Sequence, residues 1–207
     1  MISWLWARFY DKIMLDAEEK CLSEWRKDLL KDLGGDVLEI GCGTGANLAY
    51  YPQSVKHLVA AEPDINMRQM FTSKLSQYKH LSVSILDYNG EGFPVPDNSF
   101  DAVVSTLVLC SVKNPQQMLA EIYRVLKPQA KLVFIEHVAS YNNPSRLKWQ
   151  KLLEPLWKKV SCGCHLTRST ENNIIQAGFM LQDIIRQSMR GVPPIVRPCI
   201  RGKAIKV

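Results

Sequence analysis

The chain has 207 residues, of which 46% are apolar and 22% are charged, and these proportions exclude a disordered, collagen-like or low-complexity chain. The formal net charge is +6, but residues 1–140 hold 14 Lys and Arg against 17 Asp and Glu, whereas residues 141–207 hold 12 against 3. This basic C-terminal third predicts either a solvated face or a surface for anionic lipid headgroups or an anionic substrate. No recognisable nucleic-acid module accompanies the charge, so we expect no nucleic-acid partner.

The six cysteines are scattered through mostly apolar surroundings, which favours reduced intracellular thiols over a disulfide framework. The aromatic segment at residues 1–10 is interrupted by Arg8, and no other stretch reaches the roughly 20 apolar residues that span a bilayer. We therefore expect a cytoplasmic protein that is soluble or, at most, peripheral to a membrane.

Predicted helices and strands alternate along the first two thirds of the chain. An apolar spacing close to 3.6 residues predicts a helix over residues 3–32, which Gly34 and Gly35 end. The elements that follow are a strand at 36–41, a brief helix ending at Pro52, a strand at 57–61, a helix at 66–77, a strand at 81–86, a strand at 100–106, a helix at 115–126 and a strand at 131–137. Strands that alternate with helices of about ten residues predict a parallel, doubly wound sheet.

The regular alternation of strands and helices ends after residue 137. A basic amphipathic helix is predicted at 144–160, then a helix capped by Thr167 that ends at Gly178, and last two strands at 179–185 and 200–207. The fold class is therefore α/β, with a mostly parallel, seven-stranded Rossmann-like sheet, N-terminal helices and a helical insertion. We expect a single domain whose parts are an N-terminal helical cap (1–33), a cofactor-binding core (36–137), a cap or lid insertion (138–165) and a final helix with strands (166–207).

The strongest local signal is a glycine-rich turn between the first strand and the next helix. Glycines at positions 41, 43 and 45 let a backbone approach a ligand closely. Gly41, Gly43 and Ala46 also satisfy the dinucleotide pattern, so an NAD site is the competing interpretation. A pyrophosphate favours a neutral or positive turn, whereas Glu39, two residues before Gly41, suits the cationic amine of S-adenosylmethionine.

Two further segments extend this predicted cofactor site. Glu62 ends the second strand and can accept hydrogen bonds from both ribose hydroxyls, although NAD proteins use an acid there as well. The loop at 87–91 follows the third strand and can hold an adenine edge. Glu39 and this loop favour S-adenosylmethionine as the cofactor.

Three segments resemble the type 11 Rossmann-like methyltransferases, typified by those of ubiquinone and menaquinone pathways: Glu39-x-Gly41-x-Gly43-x-Gly45, residues 96–101 and residues 121–128. One departure is Lys127-Pro128-Gln129-Ala130, where the family usually has Lys-Pro-Gly-Gly. Residues 106–114, 136–139, 149–157, 163–168 and 202–206 look more specifically like the animal methyltransferase-like alkyl-thiol methyltransferases. That family has a hydrophobic N-terminal anchor, where this chain has the short aromatic helix.

These resemblances imply methyl transfer from S-adenosylmethionine to a small lipophilic acceptor such as an alkyl thiol. A quinone-like or lipid acceptor at a membrane surface, and a non-catalytic S-adenosylmethionine-binding module, remain alternatives. The predicted cofactor contacts are Tyr10 (through the resemblance), Glu39, Gly41, Gly43, Gly45, Glu62, Met67, Asn89, Gly90, Glu91 and Thr106.

Candidate acceptor-site residues lie at the end of the fifth strand and in the helices around it. His137 could be a general base or a structurally bonded histidine. Arg168 could hold an anionic group of the substrate or form a surface salt bridge. The tryptophans could form an aromatic lid or simply pack the cap helices; they are Trp6, Trp149 and Trp157.

The sequence Cys162-Gly163-Cys164-His165 has poor metal-ligand spacing without two further ligands, so we predict a packed turn and no metal site. The chemistry itself asks little of the protein, because a sulfonium is already an activated leaving group and the protein mainly aligns the reactants and excludes water. A thiol needs little help from a base. The lack of an obvious base therefore favours a sulfur acceptor over oxygen or nitrogen.

Overall fold

The computed structural model describes residues 2–86 and 92–207, with only the backbone for residues 2–6. Its seven strands form one sheet in the order β3-β2-β1-β4-β5-β7-β6. The strands are β1 (Gly35–Ile40), β2 (Val55–Ala61), β3 (Val83–Leu86), β4 (Phe100–Thr106), β5 (Leu126–His137), β6 (Phe179–Ser188) and β7 (Pro198–Lys206). Strands β1 to β5 are parallel, and β7 is antiparallel to both β5 and β6. This arrangement confirms the predicted fold class.

Six α-helices cover the sheet in the described residues: α1 (Ile2–Ala17), α2 (Ser23–Leu30), α3 (Ile65–Lys74), α4 (Pro115–Val125), α5 (Pro144–Val160) and α6 (Thr170–Gln176). A π-helical turn at Glu18–Leu22 joins α1 to α2, so the helix predicted over residues 3–32 is irregular in its middle. None of these described helices has both the length and the apolar character needed to cross a membrane.

The sheet is covered on both faces, as a doubly wound parallel sheet requires. Side chains that alternate along β1 enter opposite layers: Val37 packs with Leu22 and Phe71, whereas Leu38 packs with Ile122 and Phe134. The strand order changes direction between β1 and β4. Because ligands of open α/β sheets bind where the carboxyl ends of the strands meet such a switch, this edge is where a site is expected.

Three details differ from the sequence predictions. The brief helix before Pro52 is only a 3₁₀ turn (Leu48–Tyr50), because too few residues separate the glycine turn from the proline. Thr167 does not cap a helix: α6 starts three residues later, and the Thr167 hydroxyl donates instead to Glu154.

Strand β5 begins at Leu126, five residues before the predicted start, since Leu126 already pairs with Phe100. The pairing is then interrupted before it resumes at Lys131. Between them, Gln129 has φ +63°, a left-handed conformation that favours glycine. Gln129, which stands where the family usually has glycine, therefore carries local backbone strain. It lies far from the glycine turn.

Candidate active site

The glycine turn leaves one open face at the end of β1. Gly41 and Gly43 both have positive φ, +57° and +55°. A Cβ on Gly41 would lie 2.5 Å from a methyl group of Val108, so this glycine allows the loop after β4 to pack against the turn. A Cβ on Gly43 would have only the Gly41 carbonyl oxygen nearby, at 3.9 Å. The space beside Gly43 is thus a cradle that a side chain would fill.

Glu62 closes this cradle from the end of β2. One carboxylate oxygen accepts from the Gly43 N–H and the other from the Asp64 N–H, both at 2.9 Å. Burial raises the pKa of Glu62, and these two hydrogen bonds oppose the shift. Each oxygen can accept a further hydrogen bond. An open glycine face beside a carboxylate with spare lone pairs fits the ribose of a nucleoside-type cofactor.

Glu39 lies beneath the turn and is almost fully buried. Its two oxygens accept from the Asn47 side-chain amide at 2.8 Å and from the Tyr51 hydroxyl at 2.9 Å. Burial raises the pKa of Glu39 to about 7, against these two hydrogen bonds. The same amide donates to the Thr106 hydroxyl at 2.9 Å, which joins β1 to the end of β4. Direct contact of Glu39 with the cofactor amine stays a prediction, as does that of Thr106.

A buried arginine extends the network toward the N-terminal helices. Arg26 is 4% exposed and donates to the Asn47 side-chain oxygen at 2.7 Å and to Glu18 at 2.8 Å. The roles of Arg26, Asn47 and Tyr51 were not predicted. The available signal was a charged residue next to Trp25 on the side of α2 that carries its apolar residues, where a buried charge requires a partner within the protein.

Helix α1 is tied to the glycine turn through Asp11. The Thr44 hydroxyl donates to the Asp11 carboxylate, and the Lys74 ammonium lies 2.8 Å from the same carboxylate. Tyr10 immediately precedes Asp11, and burial raises the pKa of Tyr10 to about 12. Charges on Arg26 and Cys110 act on the Tyr10 hydroxyl, so Tyr10 lies near α2 and the loop after β4. Its contact with the cofactor stays a prediction.

A second constellation, the Cys-His-Cys cluster (Cys110, His137 and Cys164), lies beyond the ends of β4 and β5. The Cys and His ligand atoms all fall within 4.8 Å of one another, and the Cys164 sulfur is 3.8 Å from His137 Nδ1. Hydrogen bonds from Cys110 and His137 lower the pKa of Cys164, although burial opposes the shift. From the sequence, Cys164 was grouped with Cys162 and His165. The structure separates them, because Cys162 is exposed and the His165 ring faces Glu154.

Glu136 holds the cluster in place. Its fully buried carboxylate accepts from the Ser105 hydroxyl at 2.7 Å and from the backbone N–H groups of residues 108–110. Burial raises the pKa of Glu136 to about 7 against these four donors. The Cys110 carbonyl in turn accepts from the His165 N–H at 2.9 Å, so the two cysteine-bearing loops are joined through backbone.

Three buried nitrogens around this cluster have no hydrogen-bond partner among the described residues: His137 Nε2, Trp157 Nε1 and Arg168 Nε. The Arg168 side chain is anchored by a 2.6 Å hydrogen bond from Nη2 to the Val112 carbonyl, so it turns inward rather than forming the alternative surface salt bridge. Trp157 and Arg168 both act on Cys164, and their contact with an acceptor stays a prediction, as does that of His137.

The remaining predicted residues divide into three groups. Trp149 is 56% exposed on the outer face of α5, which is inconsistent with a lid over the acceptor, because the neighbouring Gln150 is the residue that is buried and bonds to the backbone of Ser140 and Ile195. Met67 is buried in the first turn of α3, below the Asp64 cap. The side chain of Trp6 and the loop residues Asn89, Gly90 and Glu91 lie outside the described residues.

Residues 38–134 match the family model described as a methyltransferase domain. A solved structure from Thermotoga maritima, a "SAM-dependent methyltransferase, possible histamine N-methyltransferase", superposes with a TM-score of 0.67 at 18% identity and covers all of both chains. The fold, the glycine cradle and these matches define an S-adenosylmethionine-dependent methyltransferase.

The relatives narrow this class. Thiol S-methyltransferase TMT1B of Rattus norvegicus is 39% identical over 214 residues, which cover 100% of this chain and 84% of that protein. Human thiol S-methyltransferase TMT1A is 36% identical over 172 residues, which cover 82% of this chain and 70% of that protein. The chain belongs to the methyltransferase family that contains these two proteins. It is an enzyme, and its cofactor is S-adenosylmethionine.

Proposed function

We propose that the enzyme methylates the sulfur of small lipophilic thiols. The observation that carries this proposal is the similarity to the rat thiol S-methyltransferase along the whole chain, beyond the part that matches the methyltransferase-domain model. The chemistry of the site supports it. The Glu136 carboxylate already accepts hydrogen bonds from four donors, and a thiol acceptor depends least on a carboxylate base.

The cofactor, when bound, supplies a methyl group on an activated sulfonium. The chain's own part is to hold the ribose between Gly43 and Glu62 and to close α1 over the glycine turn through Asp11. In the reaction the acceptor sulfur forms a bond to the methyl carbon, the bond from that carbon to the sulfonium breaks, and the thiol proton leaves to solvent. Alignment and exclusion of water account for most of the rate gain in such a transfer.

Turnover of a matched acceptor panel tests the proposal. We expect hexanethiol to be methylated with a higher kcat/KM than ethanethiol, and hexanol, a phenol and a primary amine to be methylated far more slowly. S-adenosylhomocysteine formation measures all five on one scale. Turnover of the phenol or the amine without turnover of either thiol would refute a sulfur acceptor and favour a quinone-like one.

We also propose that the enzyme works on the cytoplasmic side of an anionic membrane, with α5 lying in the interface. Trp149, Leu152, Leu156 and Val160 are all more than half exposed, and their spacing of three, four and four residues places them on one stripe of α5. Exposed lysines, including Lys148 and Lys159, flank this stripe. Apolar residues flanked by basic ones are the features of a helix that lies in the headgroup region of anionic lipid.

Vesicle flotation tests the membrane proposal. We expect binding to phosphatidylserine vesicles that weakens as salt rises, little binding to phosphatidylcholine, and loss of binding in Leu152→Asp/Leu156→Asp. Lys79→Glu, an exposed change outside α5, is the matched control and should bind nearly as the wild type does. Equal binding of both vesicle types, or of the Leu152→Asp/Leu156→Asp variant, would refute this role of α5.

A further inference from the structure

We propose that Cys110, His137 and Cys164 bind a zinc ion whose fourth coordination position takes the sulfur of the acceptor thiol. The fourth-ligand part rests on the proposed thiol specificity, whereas the metal site itself does not. Two thiolates and one imidazole are zinc ligands, and three protein ligands with one open position are typical of catalytic zinc sites.

The distances fit such a site. Zinc–sulfur bonds of about 2.3 Å and zinc–nitrogen bonds of about 2.0 Å at tetrahedral angles put ligand atoms roughly 3.5–3.8 Å apart. The Cys164 sulfur lies 3.8 Å from His137 Nδ1, and no pair in the cluster is more than 4.8 Å apart. Small side-chain rotations would therefore complete the coordination without movement of the backbone.

The three ligands come from distant segments, and interactions other than a metal hold each segment. His137 ends β5 and pairs with Cys199 of β7. The Cys110 backbone N–H is held by the Glu136 carboxylate, and the Cys110 carbonyl accepts from the turn that carries Cys164. A site whose supporting hydrogen bonds are already made needs little ordering when the ion binds.

The unpartnered donors supply a second, independent observation. His137 is 2% exposed, and its Nε2 has no partner among the described residues. Coordination through Nδ1 would fix the proton on Nε2. The Trp157 indole N–H is directed at the Cys164 sulfur, the Arg168 guanidinium acts on Cys164 through its charge, and Arg168 Nε has no partner among the described residues.

These donors match the charge of the proposed complex. Zinc with two thiolates is neutral, and addition of an acceptor thiolate makes it an anion. A buried cation at Arg168 and an N–H at Trp157 would stabilise that anion, because buried charge needs a partner.

The metal would change the first step of the reaction. The acceptor thiol would bind zinc through sulfur and release its proton to solvent, because a metal-bound thiol is deprotonated at neutral pH. The bound sulfur would then form its bond to the methyl carbon as the sulfonium–carbon bond breaks. The product thioether has no anionic charge and is a weaker ligand, so it would leave the fourth position.

Metal analysis of the untagged full-length chain, purified without chelator and then dialysed against excess Zn²⁺ and freed of unbound metal, tests the site. We expect about one zinc per chain, and less than about a tenth of that in Cys164→Ser and in His137→Ala. Cys162→Ser removes an exposed thiol two residues from Cys164 and should keep the full zinc content. Stabilisation by S-adenosylhomocysteine in thermal unfolding identifies the variants that have folded.

Cobalt provides a readout that does not depend on activity. Replacement of zinc by Co²⁺ should give intense tetrahedral visible bands and a sulfur-to-cobalt charge-transfer band, both absent in Cys164→Ser. Hexanethiol added without cofactor should shift the visible bands. A chain that takes up neither Zn²⁺ nor Co²⁺, or a wild type and Cys164→Ser with equal metal content, would overturn the metal site.

The same measurements separate this proposal from the proposed function. If protein shown to be metal-free methylates hexanethiol at the wild-type rate, thiol specificity holds and the zinc proposal fails. If metal binds in a one-to-one ratio but hexanethiol neither shifts the cobalt bands nor is methylated, the zinc site stands and the thiol acceptor fails.

Discussion

The cofactor cradle and the Cys-His-Cys cluster lie at the same edge of one sheet, yet they are encoded differently. The cradle is built by a single stretch of chain, from Glu39 to Glu62, in which a strand, a glycine turn and the next strand follow one another. The cluster is assembled from Cys110, His137 and Cys164, which come together only when β4, β5 and the loop after α5 have folded. A local motif can be read from spacing, whereas a site of distant residues depends on tertiary contacts that spacing does not show.

Both regions use a carboxylate to hold backbone N–H groups, but the two carboxylates differ in how many further hydrogen bonds they can accept. Glu62 accepts one N–H on each oxygen and keeps lone pairs at the edge of the cradle. Glu136 accepts four hydrogen bonds and is fully buried. We infer that Glu62 serves the ligand and that Glu136 serves the loop that carries Cys110.

The largest expected effect is that of Glu136→Gln. The amide oxygen could keep the three donors that bond to Oε1, but the NH₂ would face the Cys110 N–H. Both of these buried donors would then be unsatisfied, at about 1–3 kcal/mol each. We expect the free energy of unfolding in urea to fall by about 3–5 kcal/mol.

Glu62→Gln is the matched change in the cradle. We expect it to lower the free energy of unfolding by only about 1 kcal/mol, and to weaken binding of S-adenosylhomocysteine by about 1–3 kcal/mol in calorimetry. If the two variants unfold alike and bind cofactor alike, the assignment of different roles to the two carboxylates is wrong.

A smaller effect is expected at the glycines, where two neighbouring changes should separate folding from binding. Both Gly41 and Gly43 have positive φ, so alanine at either should cost about 1–2 kcal/mol in backbone strain. In Gly41→Ala the new methyl group also meets Val108 at 2.5 Å and should destabilise the fold further. In Gly43→Ala it enters the open cradle, so cofactor affinity should fall more than stability does. Urea unfolding and calorimetry on both variants provide the test, and the reverse pattern would place the ligand elsewhere.

The sheet was predicted well because most of its parallel strands are short, largely apolar and bounded by turn residues. The limits of β4 and α5 were predicted to the residue, and two strands were correctly predicted after the last helix. The start of β5 was missed because its first residues pair before an irregular turn at Gln129, where no glycine marks the positive φ.

Only part of the candidate site was predicted from the sequence. The glycine turn and Glu62 carry their own signals, and the structure brings them together through the Gly43 N–H. Cys164 was grouped with Cys162 and His165 because they are adjacent in sequence. The turn between Cys162 and Cys164 separates them in space, and no spacing rule links Cys110 to a cysteine 54 residues further along the chain.

The pH dependence of stability should come partly from beneath the cradle. Burial raises the pKa of Glu39 from its ordinary 4.5 to about 7, so the folded state holds this proton more tightly than the unfolded state. The associated stability is fully present below about pH 4.5 and is lost as the pH rises through about 7. We expect wild type to lose on the order of 1–3 kcal/mol through Glu39 between these limits.

Glu39→Gln isolates this contribution, because Glu136 titrates in the same range and is unchanged in both proteins. Urea unfolding at several pH values from about 5 to about 8 should show a flatter profile for the variant than for wild type. Parallel profiles would mean that Glu39 keeps an ordinary pKa in the folded protein.

The smallest expected effect concerns the clamp that ties α1 to the cradle. Asp11 contacts Lys74 of α3 at 2.8 Å and accepts from Thr44 in the glycine turn. Asp16 makes an ion pair of similar length with Lys20, at 2.6 Å, but both of its partners are more than half exposed and the pair stays within the N-terminal helical segment. Exposed ion pairs contribute about 0.2–1 kcal/mol, so Asp11→Asn and Asp16→Asn should differ little in urea unfolding.

The two variants should differ in cofactor binding, because only Asp11 holds the segment that forms the cradle. We expect Asp11→Asn to weaken S-adenosylhomocysteine binding by up to about tenfold, or about 1.4 kcal/mol, with the loss entirely in affinity rather than in stability. Equal affinities for the two variants would mean that α1 is attached to the cradle without helping to close it.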